Sequence, residues 1–477
     1  MLNQNFILLA DSYKYSHWVQ YPEKTESVFS YIESRGGKYD AVLFLGIQFF
    51  VQELAKVRIT QEMVEEAAEL LEQHGEPFNR EGWEYIVNDY GGRIPLLIRA
   101  IPEGLVVPTK TMLVNVEASD PKLFWLPSWI ETMLLRAIWY PTTVATNSYR
   151  IKQTIAYYRR MSGSLDGLPF AFHDFGARGA SSAETAAIGS AANLVNFLGT
   201  DTVNGISLIK RTYDCPDMPG FSIPASEHST MTCRGKEGEV DAFRNMLQQY
   251  GKPGKIFACV SDGFDIYNAV ENIWGGVLRQ EVIDSGATLV IRPDSGDPVE
   301  VCTWIVKKLD EKFGSTYNEK GYKVLNNVRI IQGDGVTIDV IQNVLHSFVQ
   351  EGYSVDNIAF GQGGALLQTV NRDDQKFAMK CSAIQVDGKW IDVYKDPVTD
   401  PGKTSKKGRL CTVKKDDGTI VTIREEDVDY FQIILDTVVY SCDKAYNGDI
   451  VVICPKQDWN DVKKRSLRNQ PASGTEN

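Results

Sequence analysis

The chain has 477 residues with 50 Lys+Arg against 62 Asp+Glu, a formal net charge of −12, and 43% of it is hydrophobic. That acidic balance excludes a dominant nucleic-acid or anionic-membrane surface, since both need broad excess positive charge, and the apolar content excludes disorder as the main state. An anionic ligand must therefore be caught by local cations working against the overall field. At about 150 residues per domain, the length predicts two or three domains, or one large α/β domain with additions.

The N-terminal MLNQNFILLADSYK holds only a short apolar run, Phe6 to Ala10, without the basic start and long apolar core of a signal peptide. No uninterrupted apolar stretch approaches the ~18 residues of a membrane span. A soluble, cytoplasmic protein is expected. Eight cysteines, at 215, 233, 259, 302, 381, 411, 442 and 454, show no CxxC spacing. Reduced thiols are expected rather than a zinc site or a disulfide framework.

In chain order, SVFSYIES reads as a strand. TQEMVEEAAELLEQHG reads as an amphipathic helix, with Thr60 as N-cap, Met63, Ala67, Leu70 and Leu71 on one face and Gly75 as its stop. RIPLLIRAIPEGLVVP breaks into short strands of a mixed sheet. In the middle of the chain, strands run into Gly/Asp-rich turns and then helices. IFACV leads to SDGFD and DIYNAVENIW, and TLVI to RPDSGDP and VEVCTWIVKKLDEKF. VRII leads to QGDG and TIDVIQNVLHSFVQ, and NIAF to GQGG and ALLQTV. The strand cores start near Ile256, Thr288, Val328 and Ile358, in steps of 32, 40 and 30 residues, which predicts parallel strands with right-handed crossovers. The polar residues sit at the strands' carboxyl ends, where barrels and open parallel sheets place active sites. Later, AIQVDGKWIDVY predicts a hairpin with a type I′ turn at Asp387-Gly388, and the tail SLRNQPASGTEN should fray. The expected fold class is α/β. An irregular (β/α) barrel-like domain over residues 159–385 is inserted in a mixed α+β domain formed by residues 1–158 and 386–477.

As spacing alone, Gly361-Gln362-Gly363-Gly364 suits a phosphate loop and equally a plain turn. Gly333-Asp334-Gly335 and Arg292-Pro293-Asp294-Ser295-Gly296 end the two preceding strands and would converge with it on one rim. Arg372, eight residues after Gly364, offers a bidentate phosphate partner. Of five histidines, His228 in PASEHST and His173 in FHDFGARG sit in loop-like settings, open to a solvated or a catalytic reading. His346 lies on a helical pattern and reads as structural or surface. Asp201 in LGTDTVNG is either a helix cap or an acceptor for a ligand.

ADSYK (10–14), HDFGARG (173–179), GTDTVNG (199–205), PASEHST (224–230), VSDGFDIYN (260–268), IRPDSGDP (291–298), IQGDGV (331–336), FGQGG (360–364) and KDPVTDPGKTSKKGRL (395–410) are collinear along nearly the whole chain. Together they resemble the nicotinamide phosphoribosyltransferases, of the type II phosphoribosyltransferase family. That resemblance implies transfer of phosphoribosyl from 5-phosphoribosyl 1-pyrophosphate to nicotinamide in NAD salvage, with Mg²⁺ as cofactor and ATP as a coupled co-substrate. It implies that Phe175 and Tyr13 sandwich the pyridine, with Tyr13 supplied by the other subunit of a homodimer, and that Arg178 lies along the ring. Asp201 would accept from the amide nitrogen, a contact that repels the carboxylate of nicotinate. Arg292, Asp294, Gly333, Asp334, Gly363, Gly364 and Arg372 match positions that bind the ribose and the 5-phosphate.

Arg35, Lys380, Lys395 and Lys403 match those that hold pyrophosphate, although Lys395 and Lys403, near Lys406 and Lys407, also read as a solvated basic loop. His228 resembles a histidine transiently phosphorylated by ATP. Asp262 or Asp294 would orient it, and the same two carboxylates are the candidates for Mg²⁺. Ala177, Ala258, Gln362 and Ala365 depart from the residues common in relatives and bear on pocket size. The alternatives are a nicotinate phosphoribosyltransferase and a catalytically silent binding or signalling relative that keeps the fold.

Overall fold

Residues 5–399, 404–429 and 432–468 are described by the computed structural model. They form two units, one of Met1–Thr146, Lys210–Cys215 and Asn371–Asn477, the other of Asn147–Ile209 and Pro216–Val370. These limits differ from the expected breaks after residues 158 and 385. The helix Glu131–Ser162 runs unbroken through the first junction, so no change of composition marks it. At the second, the strand Phe377–Val386 pairs antiparallel with Thr25–Ser34 and so belongs to the first unit. Arg372 and Lys380 move with it.

In the first unit, seven strands make an antiparallel sheet in the order Lys389–Asp392, Phe377–Val386, Thr25–Ser34, Met112–Ala118, Leu96–Ala100, Thr437–Lys444, Ile450–Ile453. Asp387 (φ 51°) and Gly388 (φ 73°) both take positive φ, the type I′ geometry whose twist suits a two-residue hairpin. The helix Gln61–His74 starts at Thr60, whose hydroxyl accepts from Met63 N at 3.3 Å, a cap worth ~1 kcal/mol. Its buried stripe is Val64, Ala67, Ala68 and Leu71. Leu70 faces solvent instead, because the i, i+3, i+4, i+7 set that starts at Val64 is the one turned inward. Trp83 packs edge-on against Trp125 and Trp129 at 5.1 and 4.8 Å.

The second unit is built on a parallel sheet in the order Gly199–Thr200, Phe172–Asp174, Ile358–Gln362, Val328–Gln332, Thr288–Arg292, Ile256–Val260. The segment from Phe221 to Ala225 bridges both edges of this sheet. At one edge Thr200 N donates to Phe221 O (3.0 Å), and at the other Ala258 N donates to Pro224 O (2.9 Å). Five residues reach about 17 Å at most, whereas a flat six-stranded sheet is about 24 Å wide. The sheet is therefore curled, and all its strands end on the same rim. Polar residues just past the strands also begin helices: Asp297 accepts from Val299 N and Glu300 N, both at 2.9 Å, to cap Pro298–Phe313, and Thr337 caps Ile338–Gln350.

Candidate active site

The rim of the curled sheet collects most of the chemistry-bearing residues. His228 opens the short helix His228–Thr232, whose entry is fixed by a capping box between Glu227 and Thr230. Its Nε2 lies 3.1 Å from Asp262 Oδ1 and its Nδ1 4.0 Å from Asp294 Oδ2. The carboxylates come from two different strand ends. Ser295 Oγ donates to Asp262 Oδ2 at 2.7 Å, and Arg292 grips Asp294 with two hydrogen bonds, Nε to Oδ1 at 3.2 Å and Nη2 to Oδ2 at 2.8 Å. The imidazole is 47% exposed while Asp262 is 5% exposed. An accepting carboxylate at Nε2 places the proton there in the neutral ring and leaves the lone pair on Nδ1. An open imidazole oriented by a sheltered carboxylate is suited to accept a proton or an electrophilic group.

Phe175 and Asp201 stand at the ends of neighbouring strands. Phe175 N donates to Gln362 O at 2.9 Å. Its ring occupies the space a side chain at Gly361 would need: a Cβ there would lie 1.9 Å from Phe175 Cε2. The glycine is required by this close approach. Phe175 packs with Ile223, Ala258, Val290, Ile331 and Ala359, so Ala258 lies in the apolar cluster beside the ring. Asp201 is exposed, its Oδ1 accepting from Ser222 Oγ at 2.6 Å. His173 follows Phe175 inward, with ring centroids 6.0 Å apart. Its Nε2 faces the carbonyl of Phe170 at 3.0 Å and so must be the donor. Burial lowers its pKa, and the charge of Asp201 opposes that shift.

Two glutamines brace the glycine loops. Gln332 Nε2 donates to Asp334 O and Gln362 Nε2 to Val336 O, each at 2.7 Å. Gln362 thus supports the neighbouring loop, which explains an amide where small residues were anticipated. Gly333 lies beside both Phe175 and Arg292, and Gly179 packs backbone to backbone on Gly364 next to Gly363. Arg178 is exposed in the turn Ala177–Gly179.

The remaining candidates belong to the first unit. Lys380 lies opposite Tyr31 in the strand ladder and donates to Met379 O at 2.8 Å. Burial lowers the pKa of its ammonium. The charges of Arg35, Lys14 and Lys395 lower it further, and Glu131 opposes them. The charges of Arg35, Lys14 and Lys395 are thus within electrostatic reach of Lys380, and Lys14 is itself paired to Glu131. Tyr13 is exposed, with its ring edge toward His17 at 5.1 Å. Arg372 is exposed and paired to Asp373 at 3.2 Å. Lys403 lies outside the described residues. Lys406 pairs with Glu33 and donates its backbone N–H to Tyr31 Oη at 3.0 Å, a structural employment. Sequence reasoning named Ser295 only as part of its loop and missed Lys14 and Ser222; Lys14 sits inside a recognised block, but Ser222 carries no signal.

Among the described residues no three or more His, Cys, Asp or Glu side chains are grouped to hold a metal, and all eight cysteines are free. Two carboxylates on one rim, Asp262 and Asp294, do suit Mg²⁺, a hard ion that keeps several waters and takes other ligands from substrate phosphates.

Residues 170–434 match the nicotinate phosphoribosyltransferase (NAPRTase) family, and residues 5–98 match the N-terminal domain of nicotinamide phosphoribosyltransferase. A nicotinamide phosphoribosyltransferase of Xanthomonas campestris pv. campestris is 55% identical over 412 residues, 86% of this chain and 88% of that protein. Another, of Mycoplasma pneumoniae, is 33% identical over 441 residues, 85% of this chain and 95% of that protein. Among solved structures, a nicotinate-nucleotide pyrophosphorylase from Pyrococcus furiosus matches with a TM-score of 0.61 at 16% identity, covering 98% of this chain and 96% of that one, a likeness of fold. With the family match spanning the rim residues and the identity sustained over most of both chains, the chain belongs to the nicotinamide phosphoribosyltransferase family.

Proposed function

We propose that the chain transfers the phosphoribosyl group of 5-phosphoribosyl 1-pyrophosphate to nicotinamide, giving nicotinamide mononucleotide and pyrophosphate in NAD salvage. The observation that carries this reading is the pairing of an aromatic ring with a carboxylate on adjacent strand ends, Phe175 and Asp201, where Asp201 N donates to Asp174 O at 3.0 Å. Stacking on Phe175 holds a flat neutral ring and leaves its nitrogen free to attack the ribose carbon as pyrophosphate departs. Asp201 accepts from the carboxamide N–H₂ and repels a carboxylate, which favours nicotinamide over nicotinate. Arg292, with the backbone amides of the Gly333 and Gly363-Gly364 loops, suits the sugar and its phosphate.

Mg²⁺ would be held by Asp262 and Asp294 and would neutralise phosphate charge. His228 would take the γ-phosphoryl group of ATP on Nδ1, the P–O bond to ADP breaking as the P–N bond forms, with Asp262 holding the Nε2 proton. On this reading the curled-sheet unit is the phosphoribosyl-transfer domain and the mixed unit serves a homodimer. The first-unit cations Arg35, Lys380 and Lys395 serve pyrophosphate, and Arg372 serves the 5-phosphate. Tyr13 of a second copy completes the stack.

The test is product identification from purified protein with 5-phosphoribosyl 1-pyrophosphate, Mg²⁺ and either pyridine, with and without γ-labelled ATP. Nicotinamide mononucleotide and pyrophosphate are expected, with nicotinate used at least about a hundredfold less well, and with an acid-labile protein label lost in His228→Ala. Equal or reversed preference would make the chain a nicotinate enzyme. No product from either pyridine would leave a silent relative.

A further inference from the structure

Asp174 closes the strand Phe172–Asp174 and has no exposed surface. No basic side chain among the described residues pairs with it. Its partners are instead split between two turns. Oδ1 accepts from Gly176 N at 2.8 Å, inside the turn that begins with Phe175, and Oδ2 accepts from the Thr200 hydroxyl at 3.1 Å. Thr200 Oγ1 in turn accepts from Thr202 N at 3.0 Å, inside the turn that begins with Asp201, and lies 3.0 Å from Ser190 Oγ on the helix Ala183–Asn193. The backbone adds a third tie, Asp201 N to Asp174 O at 3.0 Å. The two strands already pair through His173 with Gly199 and Asp174 with Thr200, so strand pairing does not require an acid here. Burying a carboxyl without a cation is costly. Burial pushes its pKa up, against the pull of the Gly176 amide and the Ser190, Thr202 and Thr200 hydroxyls.

We infer that the buried Asp174–Thr200 pair is a positioning device that locks the Phe175 turn to the Asp201 turn, and thereby sets how tightly and how selectively the pyridine is held. The inference rests on the pyridine pocket proposed above. Neither side chain touches substrate; each acts through the residue that follows it. Loss of the link should therefore spoil pyridine recognition and spare the sugar-phosphate end.

The test compares Thr200→Val, which removes the linking hydroxyl at nearly constant shape, with Thr200→Ser, which retains it, in the full chain. Thr200→Val should raise KM for nicotinamide about tenfold, hold KM for 5-phosphoribosyl 1-pyrophosphate within about twofold, and narrow the preference for nicotinamide over nicotinate. Thr200→Ser should restore all three. Hydrogen exchange of the Gly176 and Thr202 amides should quicken about tenfold in Thr200→Val and nowhere else on the rim. Unchanged pyridine KM and unchanged exchange, or an equal rise in both KM values that Ser does not rescue, would overturn the inference. If the wild type turns over no nicotinamide, the functional reading falls, and the exchange measurement still decides whether the two turns are locked. Should Thr200→Val not fold, Asp174→Asn, which keeps the volume and loses the charge, is read by the same measurements with the same expected direction.

Discussion

His173, in the strand Phe172–Asp174, and Phe175, just past its end, bring their rings within 6.0 Å of each other, although composition gave His173 a loop-like setting. Their neighbours are what separates them. Phe175 meets glycines and small apolar side chains, whereas His173 is held by a carbonyl and pushed toward neutrality by burial. Its folded pKa lies below the unfolded value, so the folded state binds fewer protons between the two. Stability is then fully present above about pH 6.5 and is lost as pH falls through the lowered folded value. His173→Gln, which can still donate to Phe170 O, removes this titration. Its unfolding midpoint should fall less between pH 7 and pH 5 than that of the wild type, measured by thermal melts across that range. Parallel curves for the two proteins would mean that His173 is not the group responsible. The candidates that the structure gathers on the rim were legible as candidates because their residue types and spacing travel together in collinear blocks. Asp174 sits in such a block too, yet its burial, which gives it a positioning role, is a tertiary property that no residue type announces.

The strand starts at Ile256, Thr288, Val328 and Ile358 coincide with the observed strands, since fully buried parallel strands read as short apolar runs bounded by turns. The elements that the pattern misjudged are those shaped by neighbours. DIYNAVENIW reads as one α-helix, but after Asn268 it widens into a π-helix, Ala269–Val277. Within it Trp274 stacks on Phe243 at 4.7 Å and donates to Ser261 Oγ at 3.1 Å, next to Asp262. The strand Ile358–Gln362 carries its own constraint. Gly361 lies in ordinary strand geometry, so alanine is allowed by the backbone there, and the Phe175 ring is the nearest obstacle to it. Gly361→Ala should thus leave the fold in place and displace the ring. KM for nicotinamide should rise about tenfold or more with little change in melting temperature, checked by steady-state kinetics beside a thermal melt. A variant with normal pyridine KM would show that the ring's seat on this strand is not needed for binding.

For the whole molecule, a charge of −12 and a polyanionic substrate make opposite demands. The first unit answers by bringing Lys14, Arg35 and Lys395 within electrostatic reach of Lys380, with Glu131 opposing them. Such an arrangement is unfavourable in the absence of an anion, for the nearby cations repel Lys380, which is also partly desolvated. Stability given up at a site in this way is the usual cost of function. Lys380→Met keeps the length and packing of the side chain and removes one of the repelling charges. It should raise the unfolding midpoint by roughly 2–4 °C while raising KM for 5-phosphoribosyl 1-pyrophosphate about tenfold or more and leaving that for nicotinamide nearly unchanged. The wild type carries the same logic in its pH dependence. On the proposed reading, because the folded pKa of Lys380 is lowered, its charge, and with it pyrophosphate affinity, should fade as pH rises toward that value, before ordinary lysines titrate. Isothermal titration of wild type and Lys380→Met with pyrophosphate across alkaline pH reads both effects. A variant that melts lower than the wild type and binds pyrophosphate equally well would show that the four cations are ordinary structural partners, and that the anion is held elsewhere.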